Sequence, residues 1–240
     1  LHDSPGDWSI YHTIDSELSN VFESYQMLDY VNNQIPHIPI SAEGLDKKDL
    51  YVISTTNWQP YTWSTNNVAL AEQLHTSLAF WQGGQSEKAY TMWESALIES
   101  MYLGASPGGF EQLLFQDAMR GELYRDFADP IGMASRTLVE GLFGIQPDAV
   151  KEVLTIQPGF PEKWNNASLE IPDISIDFKR ENKEEKYSIK NKFSAKMNLK
   201  LILNSSFEAV ENILVNEKSV SWKLISESTG KPKLSTEFPY

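Results

Sequence analysis

The chain has 240 residues, 41% of them hydrophobic, and no cysteine, so it can bury one large core or two smaller ones and forms neither disulfides nor thiolate sites. It carries 33 acidic and 20 basic residues, a net charge of −13. Such a chain repels phosphate backbones, so we expect no nucleic-acid partner. No apolar run approaches the roughly 20 residues that a membrane-spanning helix needs, so we expect no membrane span.

The charge is unevenly distributed. Residues 1–175 contain 24 acidic and 8 basic residues, whereas residues 176–240 contain 9 acidic and 12 basic residues. This asymmetry predicts two units with different roles. Because the chain starts at Leu1 rather than at methionine, we expect it to be processed, trimmed or partial.

Helices are predicted over the first two-thirds of the chain. The first is expected from Asp15 to Asn33, with Asp15 or Ser16 as its N-cap. Its apolar residues recur every three or four positions, as on one helix face. They are Leu18, Val21, Phe22, Tyr25, Leu28 and Val31.

A helical hairpin is predicted next, from about residue 68 to 82 and from about 87 to 103, with Gly83 and Gly84 in the turn. A further helix is predicted from Pro130 to Phe143, because proline suits the first helical position. These helices indicate a small bundle or part of a larger helical ring.

After about residue 150 the apolar period changes to two, which is typical of short antiparallel strands. Clear examples are Ile174-Ile176-Phe178, Tyr187-Ile189 and Met197-Leu199-Leu201-Leu203. A run of helices followed by a run of strands favours separate domains. The predicted fold class is therefore α + β, with a helical domain over 1–150, a linker over 151–172 and an antiparallel β-sandwich over 173–240.

The stretch from Arg120 to Pro130 packs three acidic residues and two arginines between two apolar segments. Hydrolysis of a glycosidic bond requires two carboxyl groups, one as proton donor and one to activate water or attack. Glu122 is a candidate for the second role, because Arg120 and Arg125 would keep it ionised. The alternative interpretation is a salt-bridged or solvated loop.

Two other stretches carry candidate site residues. Trp58, Tyr61 and Trp63, with Asn57, form an aromatic segment that suits stacking on sugar rings, or else covers the end of the bundle. Near the start, Trp8 lies among acidic residues that can supply an opposing acid or simply cap a helix: Asp3, Asp7, Asp15 and Glu17. His75 is predicted to be a packing histidine. No metal-ligand spacing occurs, so no metal or cofactor is predicted.

Several quoted motifs support a family resemblance. "NWQPYTWSTNNVALAEQLHTSLAFWQGG", "SMYLGASPGGFEQ", "RGELYRDFADPIGMASRTLVEGLFGIQPDA" and "LTIQPGFPEKW" together resemble the C-terminal part of six-hairpin glycosidases. The resemblance is to a family of bacterial glycoside-hydrolase-like proteins whose layout is similar to that of rhamnosidase-like enzymes. It implies a partial (α/α)6 toroid followed by the β-sandwich.

The resemblance also implies a function. The chain would be the C-terminal portion of a glycoside hydrolase that inverts the anomeric centre, in polysaccharide degradation outside the cytoplasm. Glu122 would be the general base, with Glu111 as the fallback. The general acid has no assigned position, although Asp7 or Asp15 is a candidate.

The implied partners are a carbohydrate and the remaining N-terminal part of the same protein. The candidate sugar-binding residues are Trp58, Tyr61, Trp63, Trp8, Asn57 and Arg125. The alternative function is a non-catalytic carbohydrate-binding protein on the same scaffold.

Overall fold

A computed structural model describes residues 4–58, 65–103, 128–206 and 209–239. The chain divides into two compact units, Leu1–Leu138 and Val139–Tyr240. The described ranges contain five α-helices and twelve strands, the strands grouped in four small sheets. None of the helices within these ranges is long and apolar enough to cross a bilayer.

The first unit is mainly helical. Its helices are α1 (Asp7–Asp15), α2 (Val21–Gln34), α3 (Leu70–Gln82), α4 (Ser86–Leu97) and α5 (Ala128–Arg136). Wider π-helical turns continue α4 over Ile98–Leu103 and α5 over Thr137–Leu142. Between α2 and α3, strands β1 (His37–Pro39) and β2 (Tyr51–Ile53) form an antiparallel pair.

Helix α3 is the centre of this unit. It packs against α1, α4 and α5, and most of its side chains are buried. Its Leu70 and Leu74 belong to one apolar core with Val52 of β2, Ala96 of α4 and Ala134 of α5. A helix that is buried on nearly all sides needs neighbours around it, and here α1, α4 and α5 provide them. The predicted hairpin of α3 and α4, with its turn after Gln82, is confirmed.

The predicted helix from Asp15 to Asn33 is wrong at its start. Helix α1 ends at Asp15, and α2 begins at Val21. Asn20 caps α2, since its side chain accepts hydrogen bonds from the backbone amides of residues 22 and 23, while Glu23 bonds back to the amide of Asn20. This reciprocal cap fixes a new helix start that apolar spacing alone does not reveal.

The second unit is built from ten short strands. They are β3 (Ile145–Asp148), β4 (Val153–Ile156), β5 (Asn166–Ile171), β6 (Ile174–Glu181), β7 (Glu184–Asn191), β8 (Asn198–Asn204), β9 (Leu214–Val215), β10 (Lys218–Ser219), β11 (Lys223–Ile225) and β12 (Lys233–Pro239). Strands β5, β6 and β7 form one antiparallel sheet. A five-stranded sheet has the order β11-β12-β8-β4-β3, and β9 pairs with β10.

Strand β6 shows the predicted period of two most clearly. Ile174, Ile176 and Phe178 are buried in alternation with more exposed residues. The Phe178 ring lies between Phe160, at 4.9 Å, and Tyr187, at 5.0 Å. One face of this sheet is therefore a packed aromatic layer.

The predicted fold class is wrong in its specific form, although the chain is of the mixed α + β type. Within the described ranges the helices are few and short and are interrupted by the β1–β2 pair, so they do not form part of an (α/α)6 toroid. The strands are distributed over small sheets, and β4 runs parallel to β8. A purely antiparallel sandwich is therefore also wrong.

Candidate active site

The sequence-predicted site residues fall into two groups. Glu111, Glu122, Arg125, Tyr61 and Trp63 lie outside the described residues. The others are described, and they belong to the helical unit: Trp8, Asp15, Asn57 and Trp58. The geometry of the candidate site is therefore built from this second group and its neighbours.

Helices α1 and α3 place a series of polar side chains opposite each other. Asp7, Tyr11 and Asp15 are spaced four residues apart on α1, so they share one face. Glu72, His75 and Gln82 contribute from α3. The charge of Glu72 acts on Asp7, the His75 ring stacks on Tyr11, and Gln82 bonds Asp15. The partners follow the same order along both helices, which means that α1 and α3 run in the same direction.

At the C-terminal end of this series Asp15 is held by three residues. The two terminal guanidinium nitrogens of Arg136 donate to its two oxygens at 2.8 Å, Gln82 donates at 2.8 Å, and His75 Nε2 lies 3.0 Å from Oδ2. Burial by itself raises the pKa of Asp15, but the hydrogen bonds from Arg136, Gln82 and His75 outweigh it and hold the pKa well below its ordinary value. Asp15 is therefore a fixed anion and a poor proton donor.

His75 connects this ion pair to Tyr11. Its ring stacks on the Tyr11 ring at 4.1 Å with an interplanar angle of 21°, and His12 approaches it edge-on at 5.3 Å. Burial lowers the pKa of His75, and Asp15 only partly opposes that effect. A neutral His75 that donates to Asp15 therefore fixes the position of the Tyr11 ring.

At the N-terminal end of the series Asp7 favours the protonated form, whereas Asp15 is ionised. Its side chain is fully buried, and burial, followed by the charge of Glu72, raises the pKa of Asp7 well above its ordinary value. One carboxyl oxygen accepts a hydrogen bond from the Trp8 amide at 2.8 Å, whereas Oδ2 has no hydrogen-bond partner. Asp7 is therefore a carboxylic acid that keeps its proton and has an unused hydrogen-bonding group.

The start of α1 is bonded to Thr55, which precedes the aromatic segment that the sequence singles out. The Asp7 amide donates to the Thr55 carbonyl at 3.0 Å, and the Thr55 amide donates to the Asn67 carbonyl at 2.9 Å. Two and three residues after Thr55 come Asn57, whose Oδ1 accepts from the Tyr30 hydroxyl at 3.2 Å, and Trp58. The backbone of the candidate acid is thus bonded to the residue two positions before the described part of the aromatic segment.

Trp8 lies against the backbone at the start of α1. A Cβ atom on Gly6 would come within 2.6 Å of the Trp8 ring, so only glycine permits this approach. The predicted sugar-binding residue Trp8 therefore packs on the turn that leads into α1 beside Asp7.

Sequence reasoning had noted Asp7 and Asp15 but had not paired them with α3. It missed the parts played by Tyr11, Glu72, Gln82 and Arg136. A usable signal was present, because aspartate, tyrosine and aspartate recur at intervals of four residues on α1, which keeps these polar groups on one face of the helix. Asp7 is protonated because it is buried, and Asp15 is ionised because it pairs with Arg136. The residue spacing on α1 predicts neither of these environments.

The described residues include no group of three or more histidine, aspartate or glutamate side chains arranged to hold a metal ion. In comparisons with known proteins, no family model and no curated protein matches this chain. Together with the few short helices and small sheets of the described ranges, this result overturns the resemblance to six-hairpin glycosidases, which is therefore wrong.

The raised pKa of Asp7 predicts that the stability of the folded chain depends on pH. Because the folded chain keeps a proton on Asp7 that the unfolded chain releases above about pH 4, Asp7 lowers stability progressively as the pH rises from there. Asp7→Asn removes this effect and keeps the shape of the side chain. We expect the variant to melt a few degrees higher than the wild type at pH 8 and close to it at pH 4, measured by circular dichroism. A constant difference across this range would contradict the assignment.

Proposed function

We propose that the helical unit hydrolyses glycosidic bonds, with Asp7 as the acid that protonates the leaving oxygen. A single observation carries this proposal. Asp7 is fully buried, its pKa is raised, and its Oδ2 has no hydrogen-bond partner. A general acid must hold its proton at working pH and must not give that proton to a hydrogen bond within the protein. Burial of Asp7 favours the first condition, and the unpaired Oδ2 meets the second.

The reaction needs a second carboxylate. In an inverting hydrolysis the proton of Asp7 passes to the glycosidic oxygen, the bond from that oxygen to the anomeric carbon breaks, and water attacks the same carbon. The second carboxylate takes the proton from that water. Glu72 is a candidate because its charge acts directly on Asp7, and Glu122 remains the candidate from the sequence.

The neighbouring aromatic segment supports a sugar as the substrate. Sugar rings present flat apolar faces that stack on indole rings, and their hydroxyl groups pair with amide side chains. Trp58 and Asn57 provide both kinds of group, three and two residues from the Thr55 carbonyl that binds the Asp7 amide. Because the Asp7 side chain is fully buried, substrate binding must displace some of the residues that surround it.

The test compares two variants in which one carboxyl group becomes an amide. Asp7→Asn removes the proposed acid, and Asp46→Asn makes the same change on an exposed loop. Reducing-end release from a panel of polysaccharides would be measured for both, with melting curves as the control for folding. We expect Asp7→Asn to lose about 10²- to 10⁴-fold in rate, the usual contribution of a general acid, and Asp46→Asn to match the wild type.

The other outcomes are equally informative. Equal rates for the two variants would remove Asp7 from the chemistry. A wild type that binds oligosaccharides but releases no reducing ends would favour the alternative function, a non-catalytic carbohydrate-binding protein. Glu72→Gln and Glu122→Gln, assayed in the same way, would identify the second carboxylate, since loss of that residue should slow hydrolysis to a similar degree.

A further inference from the structure

The outer face of helix α2 exposes large apolar residues. Phe22 and Tyr25 lie three residues apart, so they share one face of the helix, and they are 66% and 44% exposed. Leu18, in the turn that leads into α2, continues this spacing four residues earlier and is 79% exposed. Asp29 follows Tyr25 by four residues and is also exposed. These four residues are called the α2 outer face.

The clustering of these residues distinguishes them from ordinary surface residues. Single exposed apolar side chains are common on folded proteins, whereas groups of them mark interaction sites. Among the described residues, nine large hydrophobic residues are exposed, and three of the nine fall within positions 18–25. The α2 outer face is therefore a candidate docking surface.

Helix α2 holds this face in a fixed position. On its opposite side Leu28 is fully buried and packs against the turn between α3 and α4. The reciprocal cap between Asn20 and Glu23 fixes the first turn of the helix. A partner therefore meets a helix that is already formed, and binding does not have to order it, which favours association.

The charge around the face selects the partner. Residues 1–46 contain eight acidic residues and no lysine or arginine. Glu17 and Glu23 each lie next to an apolar residue of the face in the sequence, and both are exposed, as is Asp29. Two copies of this face would repel each other, and so would this face and anionic lipid headgroups. Lysine and arginine side chains would be attracted to it.

We propose that the α2 outer face binds an amphipathic helix of another protein, in which lysine or arginine flanks an apolar stripe. Phe22 and Tyr25 contact the stripe, and the carboxylates of Glu17, Glu23 and Asp29 attract the basic residues beside it. Pairs of helices commonly pack in this way, with apolar residues in the seam and charges along its edges. The inference does not depend on the proposed hydrolysis.

The test uses a synthetic amphipathic helical peptide as the probe. The peptide is made in two forms that share one leucine stripe, with lysine at the remaining positions of one form and glutamate at those of the other. Binding of each fluorescently labelled form to the full chain would be titrated by anisotropy. We expect the lysine form to bind at least about tenfold tighter than the glutamate form, and added salt to narrow the difference.

Apolar variants locate the binding surface. Phe22→Ala combined with Tyr25→Ala should weaken binding of the lysine peptide at least about tenfold, because two rings lose their contact with the leucine stripe. Val150→Ala combined with Leu224→Ala, at residues that are 95% and 63% exposed in the second unit, is the matched control and should bind like the wild type. Melting curves of both double variants would check that they remain folded.

A pair of charge variants separates the face from the net charge of the chain. Asp29→Asn removes one charge from the α2 outer face and should weaken binding of the lysine peptide by up to about fivefold, as for an exposed ion pair. Asp46→Asn removes one charge from an exposed loop and should weaken binding less. Equal effects of the two changes would contradict the assignment of the attraction to this face.

Other results would also overturn the inference. They are no binding of the lysine peptide, equal binding of the two peptides, or equal binding by the two double variants. A wild-type dimer in sedimentation velocity that Phe22→Ala with Tyr25→Ala dissociates would make the face a contact between copies of this chain. Binding to phosphatidylserine vesicles that the same double variant loses would make it a membrane contact instead.

Discussion

Replacing Gly144 by alanine is expected to destabilise the second unit by about 2–5 kcal/mol, the sum of a backbone and a packing contribution. Gly144 has a φ of +68°, in the left-handed region, which costs alanine about 1–2 kcal/mol. A Cβ atom at this position would lie 2.7 Å from the backbone nitrogen of Gln157 and closer still to its carbonyl group. Because these are backbone atoms, no side-chain rotation relieves the overlap, which adds about 1–3 kcal/mol.

The overlap falls where β3 and β4 meet. The Gln157 amide donates to the Gly144 carbonyl at 2.9 Å, and the Gly159 amide donates to the Leu142 carbonyl at 3.0 Å. Separating residues 144 and 157 breaks the first of these bonds and strains the second. We therefore expect hydrogen exchange at Gln157 and Gly159 to accelerate more than at other amides of the sheet.

Two other glycines separate the causes. Gly44 also has a positive φ, +81°, but its Cβ position is open, so Gly44→Ala tests backbone strain alone and should cost about 1–2 kcal/mol. Gly132 lies in α5 with open space around it, and Gly132→Ala should stabilise that helix by about 0.5–1 kcal/mol. Denaturant unfolding would measure the free energy of unfolding of the three variants and of the wild type. A Gly144→Ala variant no less stable than Gly44→Ala would show that the chain relaxes around the new methyl group.

The parts of the fold that could be predicted from sequence are those fixed by local pattern. The α3–α4 hairpin follows from helical spacing and the glycines of its turn, and β6 follows from strict alternation of buried residues. The break between α1 and α2 could not be found in the same way, because Leu18 and Phe22 continue the apolar spacing although they are 79% and 66% exposed. There the cap at Asn20 determines the helix start, and burial does not follow the apolar pattern.

The candidate site shows a second limit. The aromatic segment and the acidic residues near Trp8 were recognised from composition, but the Asp15–Arg136 pair joins residues 121 positions apart. No local sequence pattern specifies such a contact. Without knowledge of this contact, the sequence around Asp15 is equally consistent with a helix cap and with a catalytic acid. The difference between Asp7 and Asp15, both on α1, arises from the full burial of Asp7 and from the bonds of Asp15 to α3 and α5, which no local sequence pattern reveals.

Asp15→Asn is expected to destabilise the helical unit by about 2–3 kcal/mol at pH 7. Breaking a fully buried ion pair typically costs about 3–5 kcal/mol, and the partial exposure of Asp15 and Arg136 reduces that figure. The amide also turns an NH₂ group toward either Arg136 or His75, which are themselves donors at this position. Melting curves followed by circular dichroism would measure the loss.

The pH dependence distinguishes this ion pair from ordinary packing. The pKa of Asp15 is lower in the folded than in the unfolded chain, so its stabilisation is complete above about pH 4 and disappears as the pH falls further. The deficit of Asp15→Asn should therefore shrink toward pH 2, and a deficit that is independent of pH would contradict the charge-based explanation. In a double-mutant cycle, the variant that combines Asp15→Ala with Arg136→Ala should lose less stability than the sum of the losses in the two single variants. Each single change leaves one charge without its partner in a partly buried site.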